Sequence, residues 1–190
     1  MSSASMGDYK DALVEALQCF KCCKDLDVQD FLNSKALDFE KRGWATTYLL
    51  LSKDAFDNGK LYIEGYFSLT HKAVVFNDGV SLSSRKKLAG DKKSGNRIFV
   101  LIGQFGKRIE HMGNGAITSS HLKGVDLLND AMSIIEQSSD YIICRNIMIE
   151  CKPIDKVKSI YKSYGFTDLQ YDESESLYTL YLRTENRISF

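Results

Sequence analysis

Proline is almost absent, one residue in 190, so no proline-rich linker or polyproline recognition segment divides the chain. No run reaches the eighteen apolar residues a membrane-spanning helix needs, and the N-terminal stretch lacks the basic and apolar regions of a signal peptide. An excess of either charge is missing too. With 25 basic and 25 acidic residues there is no global pull toward nucleic acid or an anionic membrane. Histidine is scarce: His71, His111 and His121 are scattered, and they read as surface or loop residues. Cys19, Cys22, Cys23, Cys144 and Cys151 are odd in number, and no second cysteine pair or spaced histidine pair completes four metal ligands. They read as reduced, mostly buried small apolar residues of a cytoplasmic protein that holds no metal.

What is present is aromatic and ordered. Ten tyrosines and ten phenylalanines in a chain of this length fit one domain with a substantial core. Residues 1–7 are Ser-rich and expected to be disordered. Leu13 to Cys22 reads as a helix running into a strand near Leu17 to Lys21. Asp27 is a candidate N-cap for an amphipathic helix carrying Phe31, Leu32, Ala36, Leu37 and Phe39 and ended by Gly43. Trp44 to Ser52 and Leu61 to Phe76 form an expected hairpin about Asp57-Asn58-Gly59. Alternation in its second strand puts Tyr62, Glu64, Tyr66, Ser68 and Thr70 on one face, a cleft lining or a solvent face. Residues 77–96, with Arg85, Lys86, Lys87, Lys92 and Lys93 against Asp78 and Asp91, read as a mobile basic loop.

The organising stretch is Arg97 to Met132. The apolar run Ile98 to Ile102 has the length of a buried strand, a glycine-containing loop follows, and Leu122, Val125, Leu128, Met132 and Ile135 then recur at helical spacing. Strand, loop and helix in that order deliver the chain to a helix start, where unpaired N–H groups and the helix dipole favour phosphate oxygens. A second apolar strand, Tyr141 to Cys151, leads to a helix ending in Tyr164-Gly165-Phe166, and two more strands follow around the turn Asp172 to Glu175.

The segment Leu101-Ile102-Gly103-Gln104-Phe105, the later Lys123-Gly124 with Leu127-Leu128 and Asp130-Ala131, and Ile160-Tyr161-Lys162-Ser163-Tyr164-Gly165-Phe166 together resemble the GNAT superfamily of acyl-CoA-dependent N-acyltransferases. The resemblance covers residues 20 to 184. In the family's phosphate-loop pattern Gly124 is the last glycine, while Ile117, Ser120 and Leu122 fill the other three marked places. It implies an α/β (α+β) fold: a mixed, mostly antiparallel sheet of six or seven strands, splayed at the centre and flanked by helices. It also implies acetyl-CoA as acyl donor, its amide arm paired with the chain at Gln104, Phe105 and Gly106. The diphosphate would rest on the N–H groups of Lys123, Gly124 and Val125. Tyr161 takes the place of the family's tyrosine that donates to the departing thiolate, and Glu64 is the candidate base. Tyr164 is the alternative if the register slips by a turn.

The implied activity is transfer of an acetyl group to a small-molecule or protein amine within a ternary complex. Phe20 to Leu32, Ala45-Thr46-Thr47-Tyr48 and Gly65-Tyr66-Phe67-Ser68-Leu69 look like the subgroup whose toxins acetylate aminoacyl-tRNA. The neutral total charge makes tRNA the second choice of acceptor. Leu122 and Ser120 in the phosphate loop support a third reading, a GNAT-like binding module without catalysis. No membrane partner is expected, and the oligomeric state is open.

Overall fold

The computed structural model describes residues 6–139 and 145–184. The expected features at 1–5 and Cys144, and the start of the strand placed at Tyr141, lie outside the described residues. The elements are α1 (Met6–Gln18), α2 (Leu26–Asp30), a π-helical turn (Phe31–Lys35), α3 (Ala36–Lys41), β1 (Thr46–Leu51), α4 (Lys53–Asp57), β2 (Ile63–Val75) and α5 (Leu82–Ala89). There follow β3 (Asn96–Lys107), β4 (Ile109–His111), β5 (Ile117–Ser119), α6 (Gly124–Ser139), β6 (Asn146–Cys151), α7 (Asp155–Tyr164), β7 (Thr167–Asp172) and β8 (Leu177–Arg183). Six strands form one sheet in the order β1-β2-β3-β6-β8-β7, and β4 and β5 form a separate ribbon. The parallel step is β3 against β6, Val100 to Ile102 facing Ile147 to Ile149, whereas β8 pairs antiparallel with both β6 and β7.

Main-chain packing divides the chain into two compact units. One is built from residues up to Ser68 with Gln104–Asn129, the other from Leu69–Gly103 with residues from Asp130 on.

In the first unit the core gathers on Tyr66. Phe20, Leu32, Ile63 and Tyr66 are fully buried, with Leu17, Val28, Phe31 and Ala36 around them. Phe20 meets Tyr66 edge-on at 5.4 Å and Phe31 stacks on it at 6.2 Å, the offset and edge arrangements that ring quadrupoles favour. Each large apolar side chain so placed stabilises by about 1.5–3 kcal/mol relative to exposure. The helix bearing Phe31 and Leu32 begins after Asp25, not Asp27, and passes through the π-helical turn before α3. No strand forms near Leu17 to Lys21: α1 ends at Gln18 and a single bridge joins Cys22 to Ile109. The hairpin turn contains a helical turn, α4, capped by the Ser52 hydroxyl accepting from the Ala55 N–H.

The second unit packs Val74, Phe76, Val80, Leu88, Phe99, Leu101, Met148, Leu169 and Tyr181 together. The expected loop at 77–96 is corrected for residues 82–89, which are helical. Ser81 Oγ accepts the Ser84 N–H at 3.1 Å, Leu88 is anchored in the core, and Lys86 and Lys87 sit in the last turn, where the helix dipole welcomes them. Cap and anchor outweigh the polar composition from which a loop was expected. Cys151 is buried as expected, Cys22 likewise; Cys19 is exposed and Cys23 half-buried.

Candidate functional site

The strand and helix expected from the sequence are present; the glycine-containing segment between them carries the β4–β5 ribbon where a loop was expected. Asp126 and Leu127 N–H both close on Lys123 O, at 3.1 and 3.2 Å, so the ladder of α6 starts there and the N–H groups of Lys123, Gly124 and Val125 precede it. A residue the sequence reading passed over strengthens this mouth: Lys107, at the end of β3, donates from Nζ to Leu122 O at 2.9 Å. Two lysines therefore flank the start of a sixteen-residue helix. Ser120 Oγ, just upstream, is buried with no hydrogen-bond partner among the described residues.

Leu122, the departure from the family's loop, has a defined seat. A Cβ on Gly65 would lie 2.5 Å from Leu122 Cδ2 and 3.2 Å from Gly106 O, so the bare backbone of β2 makes room for the leucine. Gly106 is a close-approach glycine as well: a Cβ there would lie 2.4 Å from Val28 Cγ1. Gly65, Gly106 and Leu122 in the loop before α6 are thus brought together within one unit.

The face drawn for Glu64 needs correction. Tyr66 and Ser68 are buried, the Tyr66 hydroxyl donates to Val28 O at 2.5 Å, and only Tyr62 on that face is exposed. Burial pushes the Tyr66 phenol far up, with Cys22 and Asp25 adding to it, so it is a neutral core donor and not a cleft lining. Glu64 itself is half-buried, and its carbonyl accepts the Arg108 N–H at 2.7 Å.

Arg108 is a second residue that the sequence reading did not single out. It is 5% exposed; its guanidinium donates to Ile63 O at 2.7 Å and Cys19 O at 3.0 Å, pairs with Glu110, and lies 4.3 Å from the Tyr62 ring centre. Planar forked donors suit this divergent set of acceptors. Nothing in the local sequence marks it as buried, because Ile63, Cys19 and Tyr62 lie far off along the chain and only Glu110 is near in sequence.

The Gln104 N–H donates to Ser68 Oγ at 2.9 Å. The sequence reading offered the Gln104 backbone to the donor; its N–H is already engaged. Phe105 and Gly106 continue the strand, both half-buried.

Tyr161 belongs to the second unit, on α7. It is buried, packs edge-on to Phe166 at 6.1 Å, and its carbonyl accepts the Phe166 N–H at 3.0 Å. Burial chiefly, then the neighbouring Cys151, raises its pKa well beyond the usual tyrosine value. Tyr164 is only partly covered and is raised by burial and by Glu136. Gly165 closes α7 at φ 113°, a left-handed conformation that glycine adopts without a side-chain clash.

No protein-family model and no curated protein matches this chain. Solved structures do. The chain is similar to AtaT complexed with acetyl-methionyl-tRNAfMet (TM-score 0.64, 21% identity, 88% of this chain against 87% of AtaT). It is similar to AtaTR bound with acetyl-CoA (0.61, 22%, 88% against 86%). It is also similar to a tyrosine-to-phenylalanine variant of KacT (0.65, 22%, 92% against 91%). The chain has the GNAT fold. The GNAT sheet expected from the sequence is accordingly present with six strands. Among the described residues no group of three or more His, Cys, Asp or Glu could hold a metal ion, and no helix is long and apolar enough to cross a membrane.

Proposed function

We propose that the protein is an acetyl-CoA-dependent N-acetyltransferase. The observation that carries this reading is the start of α6, where three N–H groups ahead of the helix ladder lie beside Lys107 and Lys123, on a fold shared with a protein solved with acetyl-CoA. A diphosphate gains there from the helix dipole, from backbone donors and from two point charges. Leu122, seated over Gly65, is compatible with that role despite replacing a family glycine.

Acetyl transfer to an amine forms an N–C bond as the C–S bond breaks, and the thiolate leaves with a proton or against a hydrogen-bond donor. Tyr161 is our candidate donor. Ordinary values of about 10 for tyrosine and about 8.5 for a thiol already make full proton transfer uphill. Burial raises Tyr161 further, so it acts as a neutral hydrogen-bond donor and stays protonated across the working pH range. Glu64 is the candidate base, acting on the amine through water. The acceptor class is a small-molecule or protein amine.

The test is a thermal shift with acetyl-CoA, for which ligand at a hundred times its dissociation constant stabilises by about 2.7 kcal/mol. No shift at millimolar ligand turns the reading to a non-catalytic module. Tyr161→Phe should keep the shift and lose turnover; unchanged turnover removes Tyr161 from the chemistry.

A second reading takes aminoacyl-tRNA as the acceptor. It is supported by the likeness to AtaT, solved with acetyl-methionyl-tRNAfMet, and by Lys86 and Lys87, which are exposed on α5 with Lys92 and Lys93 exposed just beyond it. Acetylation of charged tRNA that weakens with salt, and weakens again when these four lysines are neutralised, supports it. Equal activity of the neutralised variant removes this segment from tRNA binding.

A further inference from the structure

We infer that Asp168 is a positioning residue for Tyr161, a role that rests on the candidate-donor assignment of Tyr161 above. Helix α7 has little hold on the core. Of its ten residues Tyr161 alone is buried, Val157, Lys158 and Tyr164 are half-buried, and the apolar Ile160 is 43% exposed. A helix anchored chiefly by one ring needs a second constraint to fix its rotation, and here that constraint is polar. Lys158 and Lys162, four residues apart, share a face of α7 with Tyr161, which follows Lys158 by three. Both ammonium groups close on the carboxylate of Asp168 on β7, Lys158 Nζ at 3.0 Å from Oδ1 and Lys162 Nζ at 2.5 Å from Oδ2. Lys158 Nζ also sits 3.5 Å from the centre of the Tyr178 ring on β8.

One carboxylate thus takes charge-assisted bonds from two successive turns of α7, on either side of Tyr161, and ties both to the sheet. The strand that carries it is itself registered, with Asp168 opposite Leu180 on β8 and β8 paired along β6. The effect is on orientation more than on stability: the Asp168 side chain is 44% exposed, and exposed ion pairs contribute little to folding. Orientation is where a hydrogen-bond donor is sensitive. A helix with its side chains has a radius of about 5–6 Å, so a turn of about 20° around its axis moves a side-chain tip by about 2 Å. A misplacement of about 1 Å can already cost about a hundredfold in rate. Asp168 holds the Tyr161 hydroxyl in place through the helix, without entering the chemistry.

The test is a double-mutant cycle on the full chain. Release of thiol from acetyl-CoA is followed with polylysine and charged tRNA as the acceptor probes, in wild type, Asp168→Asn, Tyr161→Phe and the double variant. In parallel the Tyr161 ring, labelled with ¹³C at Cζ and assigned by its loss in Tyr161→Phe, reports its surroundings by chemical shift. In Asp168→Asn we expect kcat to fall about tenfold or more, KM for acetyl-CoA to stay unchanged, Tm to move by a few degrees at most and the Tyr161 resonance to shift. Asp168→Glu, which keeps the charge, recovers part of the rate. In the Tyr161→Phe background Asp168→Asn causes no further loss, because the group it positions is gone. Should Asp168→Asn fail to fold, Lys158→Met and Lys162→Met break the same bridges from the helix side and make the same comparison. Equal loss in both backgrounds, an unchanged kcat or an unmoved Tyr161 resonance overturns the proposal and leaves the assignment of Tyr161 standing. Wild type that acetylates neither probe, or Tyr161→Phe as fast as wild type, overturns that assignment and this proposal with it.

Discussion

Adding one methyl group at Gly106 tests how closely α2 is seated on β3. In Gly106→Ala the new Cβ lies 2.4 Å from Val28 Cγ1, and something must move. Val28 is β-branched, buried to 9% exposure, and its carbonyl accepts the Tyr66 hydroxyl at 2.5 Å from the centre of the core. It can neither turn freely about χ1 nor back away without disturbing that bond. Overpacking of this kind costs about 1–3 kcal/mol, against which alanine recovers about 0.5–1 kcal/mol of backbone entropy in a strand interior. At the middle of those ranges the net loss is about 1 kcal/mol, and for a chain of this length Tm falls by about 2–4 °C. Val28→Ala alone removes buried methyl surface and costs about 1.5 kcal/mol or somewhat more. In the double variant the obstruction is gone, so Gly106→Ala there should be nearly neutral or stabilising. Urea melts of the four proteins give a coupling energy of at least about 1 kcal/mol. Strictly additive costs, or a Gly106→Ala protein as stable as wild type, would refute the reasoning.

Three further outcomes follow from particular contacts. Arg108→Leu leaves the carbonyls of Ile63 and Cys19 and the Glu110 carboxylate without their donor, and it should cost about 3 kcal/mol or more in urea melts, with Arg108→Lys recovering only part because it lacks the fork. At Asp168, burial works to raise the carboxyl pKa but hydrogen bonds from Lys162 and Lys158 outweigh it, and the value is held below the ordinary one. A depressed folded value means the contribution is present above the unfolded value, about 3.9, and fades as pH falls through the lower folded value; Asp168→Asn should flatten this part of the acid limb of stability against pH. Gly165→Ala forces an L side chain into φ 113° at the end of α7 and should destabilise by about 1 kcal/mol or more, read as a lower Tm.

Much of the architecture was legible because it is local. The unbroken apolar run Ile98 to Ile102, the helical spacing of Leu128, Met132 and Ile135, and the Gly165 stop are all written within a few residues of where they act, and the structure keeps them. Helix α5 was missed because its anchor, Leu88, is one apolar residue among charges, and its cap is a serine in a serine-rich run. The tyrosine and serine face of β2 was drawn correctly as a face but assigned to the wrong surroundings. Alternation says which side chains share a side, not what covers them, and at Tyr66 the cover is α2 with the π-helical turn.

The sequence by itself determined the order of strand, loop and helix, the neutral charge, and the motif about Tyr161, since each depends on neighbours in the chain. Only the tertiary structure decided that Gly65 makes room for Leu122, that Lys107 reaches the start of α6, that Arg108 ties Ile63 to Cys19, and that Ser68 takes the Gln104 amide. These are pairings between residues far apart in sequence. Their partners are chosen by strand register and by close approach of backbones, which no local pattern of residue types encodes.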